Sequence, residues 1–199
     1  MSLELPKCSP FDSDNVVRLI GIDPGVNSSL GISIYEKDIE SNKKALVWAT
    51  TVESISFTRV FSDIATDSGE RFARLHGYKC FLVDLFNNWR PDYIVCEGNY
   101  LGKFASAYGA LTEIVLIIRI STMDYRRDMP VEIIQPSVIK KCIGVSGNTG
   151  DKELIKEAIT DLGIIFHQPQ DLNKLDKHAI DAIAIGYCGL MQLEDTPVN

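Results

Sequence analysis

Two alternating apolar runs on either side of a Pro-Gly turn constrain the fold of this chain most. The stretch RLIGIDPGVNSSLGISIYE covers residues 18–36, and apolar side chains recur at every second position before and after Asp23-Pro24-Gly25. This period is typical of β-strands, and the turn residues end the first strand. A third run over residues 44–53 follows a short polar turn. Together the three runs predict an antiparallel meander.

The rest of the chain alternates between helical and strand patterns. We predict helices over residues 69–89, 104–120, 137–143, 151–162 and 175–190, strands over 91–98 and 131–136, and a polar linker before residue 69. A meander followed by β-α-β units predicts an α/β fold, a mixed five-stranded sheet with helices on both faces. We expect one domain over residues 16–190, an N-terminal extension of residues 1–15 and a C-terminal tail of residues 191–199.

Composition narrows the class of protein. The net charge of −7 weighs against a protein that binds polyanions without specificity, although acids gathered at a metal site also count in that sum. The five cysteines are scattered and form no C-x-x-C pair, which argues against a disulfide framework or a zinc ribbon. No apolar run is long enough to span a bilayer, and no secretion signal is recognisable. We expect a cytoplasmic protein, in a bacterial cell or in host cytoplasm if viral.

Two acidic residues end strands that are otherwise apolar. Asp23 closes the first strand, and Glu97 closes the strand within YIVCEG. A buried carboxylate without a partner is costly, or its pKa rises. Asp23 could simply be a turn residue before Pro-Gly, whereas glutamate has no special role in turns. Because ligand sites in such sheets gather near strand ends, both residues are candidates for a functional site.

The last predicted helix carries further candidates in the stretch LDKHAIDAIAIGY. His178 and Asp181 are three residues apart, so they share one face of the helix. The nearly apolar sequence after Asp181 indicates a mostly buried helix, in which a carboxylate needs a partner. His178 could equally be a surface histidine or a hydrogen-bonded core histidine. Asp176 lies near the helix start, where a carboxylate often serves as a cap.

These side chains form an oxygen-rich cluster if the three elements meet at one edge of the sheet. Carboxylates with one imidazole suit Mg²⁺ or Mn²⁺, and a divalent cation is the simplest partner for converging acids. A pair of such ions can activate water and stabilise the leaving oxygen of a phosphodiester. The cluster of Asp23, Glu97, His178 and Asp181 therefore predicts metal-dependent cleavage of a phosphodiester.

Three motifs in this order, IGIDPG, VCEG and HAIDAIAIG, resemble the RuvC family of Holliday junction resolvases within the RNase H-like superfamily. The resemblance covers residues 17–190. It implies an RNase H-like fold and metal ligands at Asp23, Glu97, His178 and Asp181, with a pair of Mg²⁺ or Mn²⁺ ions. IGIDPG alone is less specific, because actin-like ATPases and sugar kinases carry similar patterns. Asp176 lies outside the matched pattern and remains a predicted helix cap.

The resemblance also implies DNA-binding residues. In this family an aromatic residue just after the second acid wedges into the crossover of the junction. Tyr100 occupies that place, and Lys103 lies one turn further on. Basic residues around a glycine-containing loop correspond to Lys140, Lys141 and Lys152. Stacking on an unpaired base contributes about 1–3 kcal/mol. As alternatives, Tyr100 could anchor a loop and the lysines could simply be solvated.

The predicted helix over residues 104–120 is apolar over more of its circumference than one sheet would cover. It could be an ordinary core helix, or its excess apolar surface could form a two-fold dimer interface. The resemblance implies a homodimer, which suits a substrate that needs two symmetric cuts.

We therefore predict a structure-selective endodeoxyribonuclease that resolves four-way (Holliday) junctions by paired symmetric nicks in opposed strands and leaves 5′-phosphate ends. The first alternative is a nuclease of the same fold that acts on branched DNA generally, on flaps or on RNA. An actin-like ATPase is expected to need a second domain of this type, for which 199 residues leave no room. A non-catalytic nucleic-acid-binding relative would not need all four candidate ligands. No feature indicates a helicase partner.

Overall fold

The structure is a computed structural model that describes residues 9–11, 15–25, 29–98, 105–146, 152–167 and 171–195. Its strands are β1 (Val16–Pro24), β2 (Ser29–Asp38), β3 (Lys44–Glu53), β4 (Tyr93–Glu97), β5 (Val131–Ile134) and β6 (Ile165–Phe166). Its helices are α1 (Ile55–Val60), α2 (Ser62–Ser68), α3 (Glu70–Trp89), α4 (Ala105–Tyr125), α5 (Pro136–Cys142), α6 (Lys152–Asp161) and α7 (Lys177–Asp195), with a 3-10 turn over Leu172–Lys174. Within these ranges, no helix has the length and apolar character needed to cross a membrane.

The strands form one mixed sheet in the order β5-β4-β1-β2-β3-β6. Strands β1, β2 and β3 are antiparallel neighbours, whereas β4 runs parallel to β1 and β5 runs parallel to β4. The predicted mixed sheet of a meander followed by β-α-β units is confirmed. The short strand β6 pairs in parallel with β3 and adds a sixth strand at the edge, which the sequence pattern did not indicate.

Alternating side chains of the strands build two hydrophobic cores on opposite faces of the sheet. Ile20 of β1 and Ile94 of β4 belong to the core that α3 and α4 cover. Leu19 and Val95, one position away, belong to the core that α5, α6 and α7 cover. Because successive side chains of a strand point to opposite faces, the odd-numbered residues of β1 and β4 face α7.

Helix α7 lies unusually close to the centre of the sheet and contacts β1, β2 and β3. Glycines on both elements permit this approach, since a Cβ on Gly21 would lie only 2.6 Å from the backbone nitrogen of Gly186. Two buried hydroxyls of β2 then bond to the helix backbone. Ser33 and Tyr35 donate to main-chain carbonyls of two consecutive residues of α7, at 2.6 and 2.8 Å.

Residues 54–68, which we expected to be a polar linker, instead form the helices α1 and α2. Phe57 packs edge-on against Tyr78 with ring centroids 5.4 Å apart, and Phe61 packs in the same way against His76 at 4.8 Å. These contacts to α3 hold two helices that are too short to show a helical period in the sequence.

Two long helices extend beyond their predicted ends. Helix α4 continues to Tyr125 instead of stopping at residue 120, and α7 continues to Asp195 instead of residue 190. Residues 191–195 therefore belong to the last helix and not to a tail. No glycine or proline follows Gly189 until Pro197, so the sequence contains no stop signal at the predicted end.

Part of the predicted N-terminal extension packs on the end of β2. The carboxylate of Glu36, which has 0% of its surface exposed, accepts hydrogen bonds from Arg18 Nε at 2.9 Å and from Ser9 Oγ at 2.5 Å. The N–H of Ile39 donates to the main-chain oxygen of Asn15 at 3.0 Å. The donors around Glu36 compensate for the burial of its charge.

Candidate active site

Asp23 and Glu97 lie at the ends of two neighbouring parallel strands. Ile22 of β1 pairs with Cys96 of β4. Asp23 directly follows Ile22, and Glu97 directly follows Cys96. Both acids belong to the odd-numbered series that faces α7. Asp23 is buried, with 6% of its surface exposed, and Glu97 is half-buried. Because side chains alternate between the two faces of the sheet, both carboxylates lie on the face that α7 covers.

His178, the second residue of α7, contacts the first of these acids. Its Nδ1 atom lies 2.6 Å from Oδ2 of Asp23. The contact depends on a glycine in β2, because a Cβ on Gly31 would come within 2.0 Å of the main-chain oxygen of His178. A side chain at that position would hold the start of α7 away from the sheet.

Asp181 lies one turn after His178 on α7 and is half-buried. The negative charge of Asp181 acts on Glu97, the acid at the end of β4. The pKa of Glu97 is raised to about 7, first by burial and then by the negative charges of Asp23 and Asp181, while Lys140 opposes the rise. The structure therefore places His178 against Asp23, and it places Asp23 and Asp181 near enough to Glu97 for their charges to raise its pKa.

As the side chains stand, no group of three or more His, Cys, Asp or Glu residues in the described ranges is arranged to hold a metal ion. Asp23 turns one carboxylate oxygen to His178 instead. The donor set still has the chemistry that Mg²⁺ and Mn²⁺ prefer, with three carboxyl groups and one imidazole. A cation among them would offset the mutual repulsion that helps to raise the pKa of Glu97.

Of the five predicted DNA-binding residues, the structure describes the side chains of two. Lys140 and Lys141 lie in the last turn of α5, where Lys140 is half-buried beside the acids and Lys141 is exposed. Lys152 is the first residue of α6, but its side chain lies outside the described part of the chain. Tyr100 and Lys103 lie outside the described residues.

Asp176 caps the start of α7, in agreement with the prediction. Its Oδ1 atom accepts the N–H groups of His178 at 2.9 Å and of Ala179 at 3.0 Å. This cap satisfies two backbone donors that the first turn of a helix leaves without a partner. It also fixes the backbone of the residue that carries the imidazole of the site.

Two other side chains at the site were not predicted. Thr51 of β3 donates its hydroxyl to Asp176 Oδ1. Gln135, which precedes α5, lies over Gly98, where a Cβ would come within 2.8 Å of Gln135 Nε2. A single threonine in a strand and a single glutamine after one carry no recognisable signal. Thr51 and Asp176 are 125 positions apart, so only the folded chain reveals their contact.

No family model matches the chain, and no curated protein is similar to it in sequence. Solved structures are similar to it. RuvC from Thermus thermophilus has a TM-score of 0.66 at 16% identity, over 90% of this chain and 98% of that one. The yeast mitochondrial Holliday junction resolvase has a TM-score of 0.61 at 13% identity, over 90% of this chain and 81% of that one. The fowlpox virus Holliday junction resolvase has a TM-score of 0.53 at 16% identity, over 90% of this chain and 100% of that one.

The chain therefore has the fold of RuvC and other Holliday junction resolvases over 90% of its length. The resemblance inferred from the three motifs is confirmed at the level of the fold. Identities of 13–16% establish the architecture and leave the chemistry to be argued from the site. The similar structures include Thermus RuvC and the fowlpox resolvase in complex with Holliday junction DNA.

Replacing Glu97 by glutamine is expected to stabilise the metal-free protein at pH 8. With its pKa raised to about 7, the ionised side chain is unfavourable in the folded state. The penalty is absent below the unfolded-state pKa of about 4.3 and is complete above the folded-state pKa. We expect the free energy of unfolding in urea and EDTA to rise by about 1–3 kcal/mol at pH 8 and by much less at pH 5.

Glu132→Gln is the matched control for this measurement, because Glu132 is exposed on β5. It should leave the free energy of unfolding unchanged at both pH values. A loss of stability for Glu97→Gln at pH 8, or an equal gain at both pH values, would contradict the raised pKa of Glu97.

Proposed function

We propose that the protein is a divalent-metal-dependent endodeoxyribonuclease that resolves four-way DNA junctions by paired symmetric nicks in opposed strands. The proposal is carried by the placement of four side chains, from three distant parts of the chain, in a fold shared with Holliday junction resolvases. Two of them are in contact, and the charges of two raise the pKa of a third. These side chains are Asp23, Glu97, His178 and Asp181. The complexes of two similar proteins with Holliday junction DNA support the choice of substrate.

The proposed metal ligands are the three carboxylates and the imidazole. Asp23, Glu97, Asp181 and His178 would hold Mg²⁺ or Mn²⁺, with a pair of ions in each site. Such ions, when bound, activate a water molecule and stabilise the charge on the phosphate and on the leaving oxygen. Carboxylates that repel one another across a half-buried site bind a divalent cation more favourably than isolated exposed acids do.

The residues of the chain orient the reacting groups. The contact of His178 with Asp23 fixes the direction of that carboxylate. Lys140 supplies a positive charge beside Glu97, which would attract a DNA phosphate that the acids repel. As an alternative to ligation, a neutral His178 could accept a proton from the attacking water.

The proposed DNA contacts extend from the acids along α5 and into neighbouring segments. Lys140 and Lys141 would neutralise backbone phosphates, and Lys152 would do so from the start of α6. Tyr100 would stack on a base at the crossover, and Lys103, three residues further along the chain, would bind a phosphate. The position of α5, with Lys140 next to the acidic cluster, supports this path for the DNA.

The proposed active form is a homodimer. Four large apolar residues are exposed along α4 at spacings of three, four and eight residues, so they share one side of the helix. They are Tyr108, Leu116, Ile120 and Met123. Leu116 and Met123 have 55% and 57% of their surface exposed. A second copy related by a two-fold axis would cover this side and present two active sites to opposed strands.

Replacing both Leu116 and Met123 by lysine is expected to convert the dimer to a monomer and to abolish paired nicking. The charges would be buried without partners in the interface, which costs several kcal/mol. Sedimentation velocity measures the mass, and a supercoiled cruciform substrate distinguishes paired from single nicks. Val60→Lys on α1 is the control, because Val60 is 60% exposed but distant from α4 in the chain. A monomeric wild-type protein would exclude the interface.

The experiment that tests the proposed function compares substrates. Labelled four-way junction, Y-fork and linear duplex DNA are incubated with the protein in Mg²⁺ and in EDTA. We expect symmetric paired nicks with 5′-phosphate ends, confined to the four-way junction and lost in EDTA. Equal cutting of forks would indicate a general branch nuclease. The absence of metal-dependent cutting of any substrate would refute the nuclease proposal.

A further inference from the structure

We infer that Thr51 and Asp176 form a positioning pair that fixes His178 in the site, an inference that rests on the nuclease function proposed above. Both residues act through the first turn of α7 and not by contact with the DNA. The pair joins the central sheet to the helix that carries two of the four proposed metal ligands.

One carboxylate oxygen of Asp176 accepts three hydrogen bonds. Two come from the N–H groups of His178 and Ala179, at 2.9 and 3.0 Å, and the third comes from the hydroxyl of Thr51. The first two bonds cap the helix, and a helix cap needs no partner in a strand. The bond from Thr51 therefore has a separate effect, because it fixes where the start of α7 lies on the sheet.

Three adjacent strands present one row of residues to this helix start. Asp23 of β1 pairs with Gly31 of β2, and Gly31 pairs with Thr51 of β3. The helix contacts each member of the row in turn. The His178 imidazole lies on Asp23, the His178 carbonyl lies over Gly31, and Asp176 accepts the hydroxyl of Thr51.

The contacts with Asp23 and Thr51, the two outer members of this row, hold the first turn of α7 at two separate points. Neighbouring strands are about 4.8 Å apart, so the contacts at Asp23 and Thr51 are separated by about 10 Å. With both contacts present, the helix start cannot pivot about either one. Without the Thr51 hydroxyl, the cap remains but the imidazole of His178 loses its distant support. Because a displacement of about 1 Å can cost up to about a hundredfold in rate, the effect falls on catalysis.

The first test is Thr51→Val, which keeps the shape of the side chain and removes the hydroxyl. We expect kcat for cleavage of a four-way junction to fall about tenfold, with KM for the junction changed less than about twofold. The thermal midpoint should fall by no more than about 4 °C, since one partly exposed hydrogen bond is lost. Thr50→Val is the matched control. Thr50 precedes Thr51 in β3 but pairs with Ile32, which belongs to the core on the opposite face of the sheet from α7.

Variants of Asp176 separate positioning from capping. Asparagine keeps an oxygen that can accept all three bonds, so Asp176→Asn should retain most of the wild-type kcat. Alanine removes the cap and the link together, so Asp176→Ala should have a lower kcat than Thr51→Val. Equal kcat values for the asparagine and alanine variants would overturn the inference.

A readout that does not depend on cleavage keeps this inference distinct from the proposed function. The chain has 3 histidines, so the imidazole signals of His178 can be resolved by NMR in the metal-free protein. Thr51→Val should shift these signals and the amide signal of Ala179, whereas Thr50→Val should not. Unchanged His178 signals or an unchanged kcat in Thr51→Val would overturn the positioning role. If the wild-type protein cleaves no DNA, the proposed function fails, and the NMR comparison still decides whether Thr51 positions His178.

Discussion

Asp23→Asn is expected to lower the rate of junction cleavage by a factor of about 10³ or more while the protein stays folded. Asparagine has the shape of aspartate but lacks its negative charge. Asp23 is buried against His178, and its charge contributes to the raised pKa of Glu97. Removing the charge weakens cation binding and also relieves repulsion among the acids, so stability should not fall. Single-turnover cleavage in Mg²⁺ and unfolding in urea measure the two effects.

Asp92→Asn is the matched control for this prediction. Asp92 is a half-buried acid that accepts the N–H of Arg18 at 2.9 Å, near the opposite end of β1. Its substitution should leave the cleavage rate close to that of the wild type. If Asp23→Asn cleaves junctions normally, or if Asp92→Asn is equally inactive, the site at the end of β1 and β4 is not the catalytic one.

Gly31→Ala is expected to destabilise the protein by about 3 kcal/mol or more, with a thermal midpoint lowered by about 10 °C. The added Cβ would lie 2.0 Å from the main-chain oxygen of His178. A main-chain atom in the first turn of a helix cannot rotate away as a side chain can. The start of α7 would have to leave the sheet, and His178 would lose its contact with Asp23. Calorimetry measures the change in stability, and the cleavage assay measures the loss of the site.

Gly109→Ala in α4 provides the control for a glycine-to-alanine change. Apart from its chain neighbours and the backbone of α4 itself, no atom of the described residues lies within 4 Å of the added Cβ there, and alanine favours a helix. That variant should be more stable than the wild type by about 0.5–1 kcal/mol. Wild-type stability in Gly31→Ala would show that α7 does not approach β2 as closely as described.

The strand-end acids could be predicted because they interrupt strong local patterns. Asp23 and Glu97 each end an apolar strand, and the period of two then determines the face on which they lie. The cap at Asp176 is also visible in the sequence, because it precedes an apolar helical stretch. These local signals were enough for the five predicted strands, the main helices and the strand-end positions of both acids.

The remaining features depend on contacts between distant parts of the chain. Thr51 becomes part of the site only because β3 lies two strands from β1 and α7 crosses both. Helices α1 and α2 are held by two aromatic contacts to α3, and each is too short for its pattern to be recognised. Strand β6 has two residues, too few to show an alternating pattern, and it pairs with β3, which lies far away in the chain.

The order of synthesis determines when the proposed site can be complete. Helix α7 supplies His178 and Asp181 and, together with α5 and α6, covers one face of a sheet whose strands, apart from β6, are complete by Ile134. A ribosome-bound chain that lacks α7 holds Asp23 and Glu97 but neither His178 nor Asp181, and the core around Leu19 and Val95 lacks the side chains of that helix. Synthesis of the chain therefore completes this face of the sheet and supplies the second half of the proposed site at the same moment, when α7 emerges and docks.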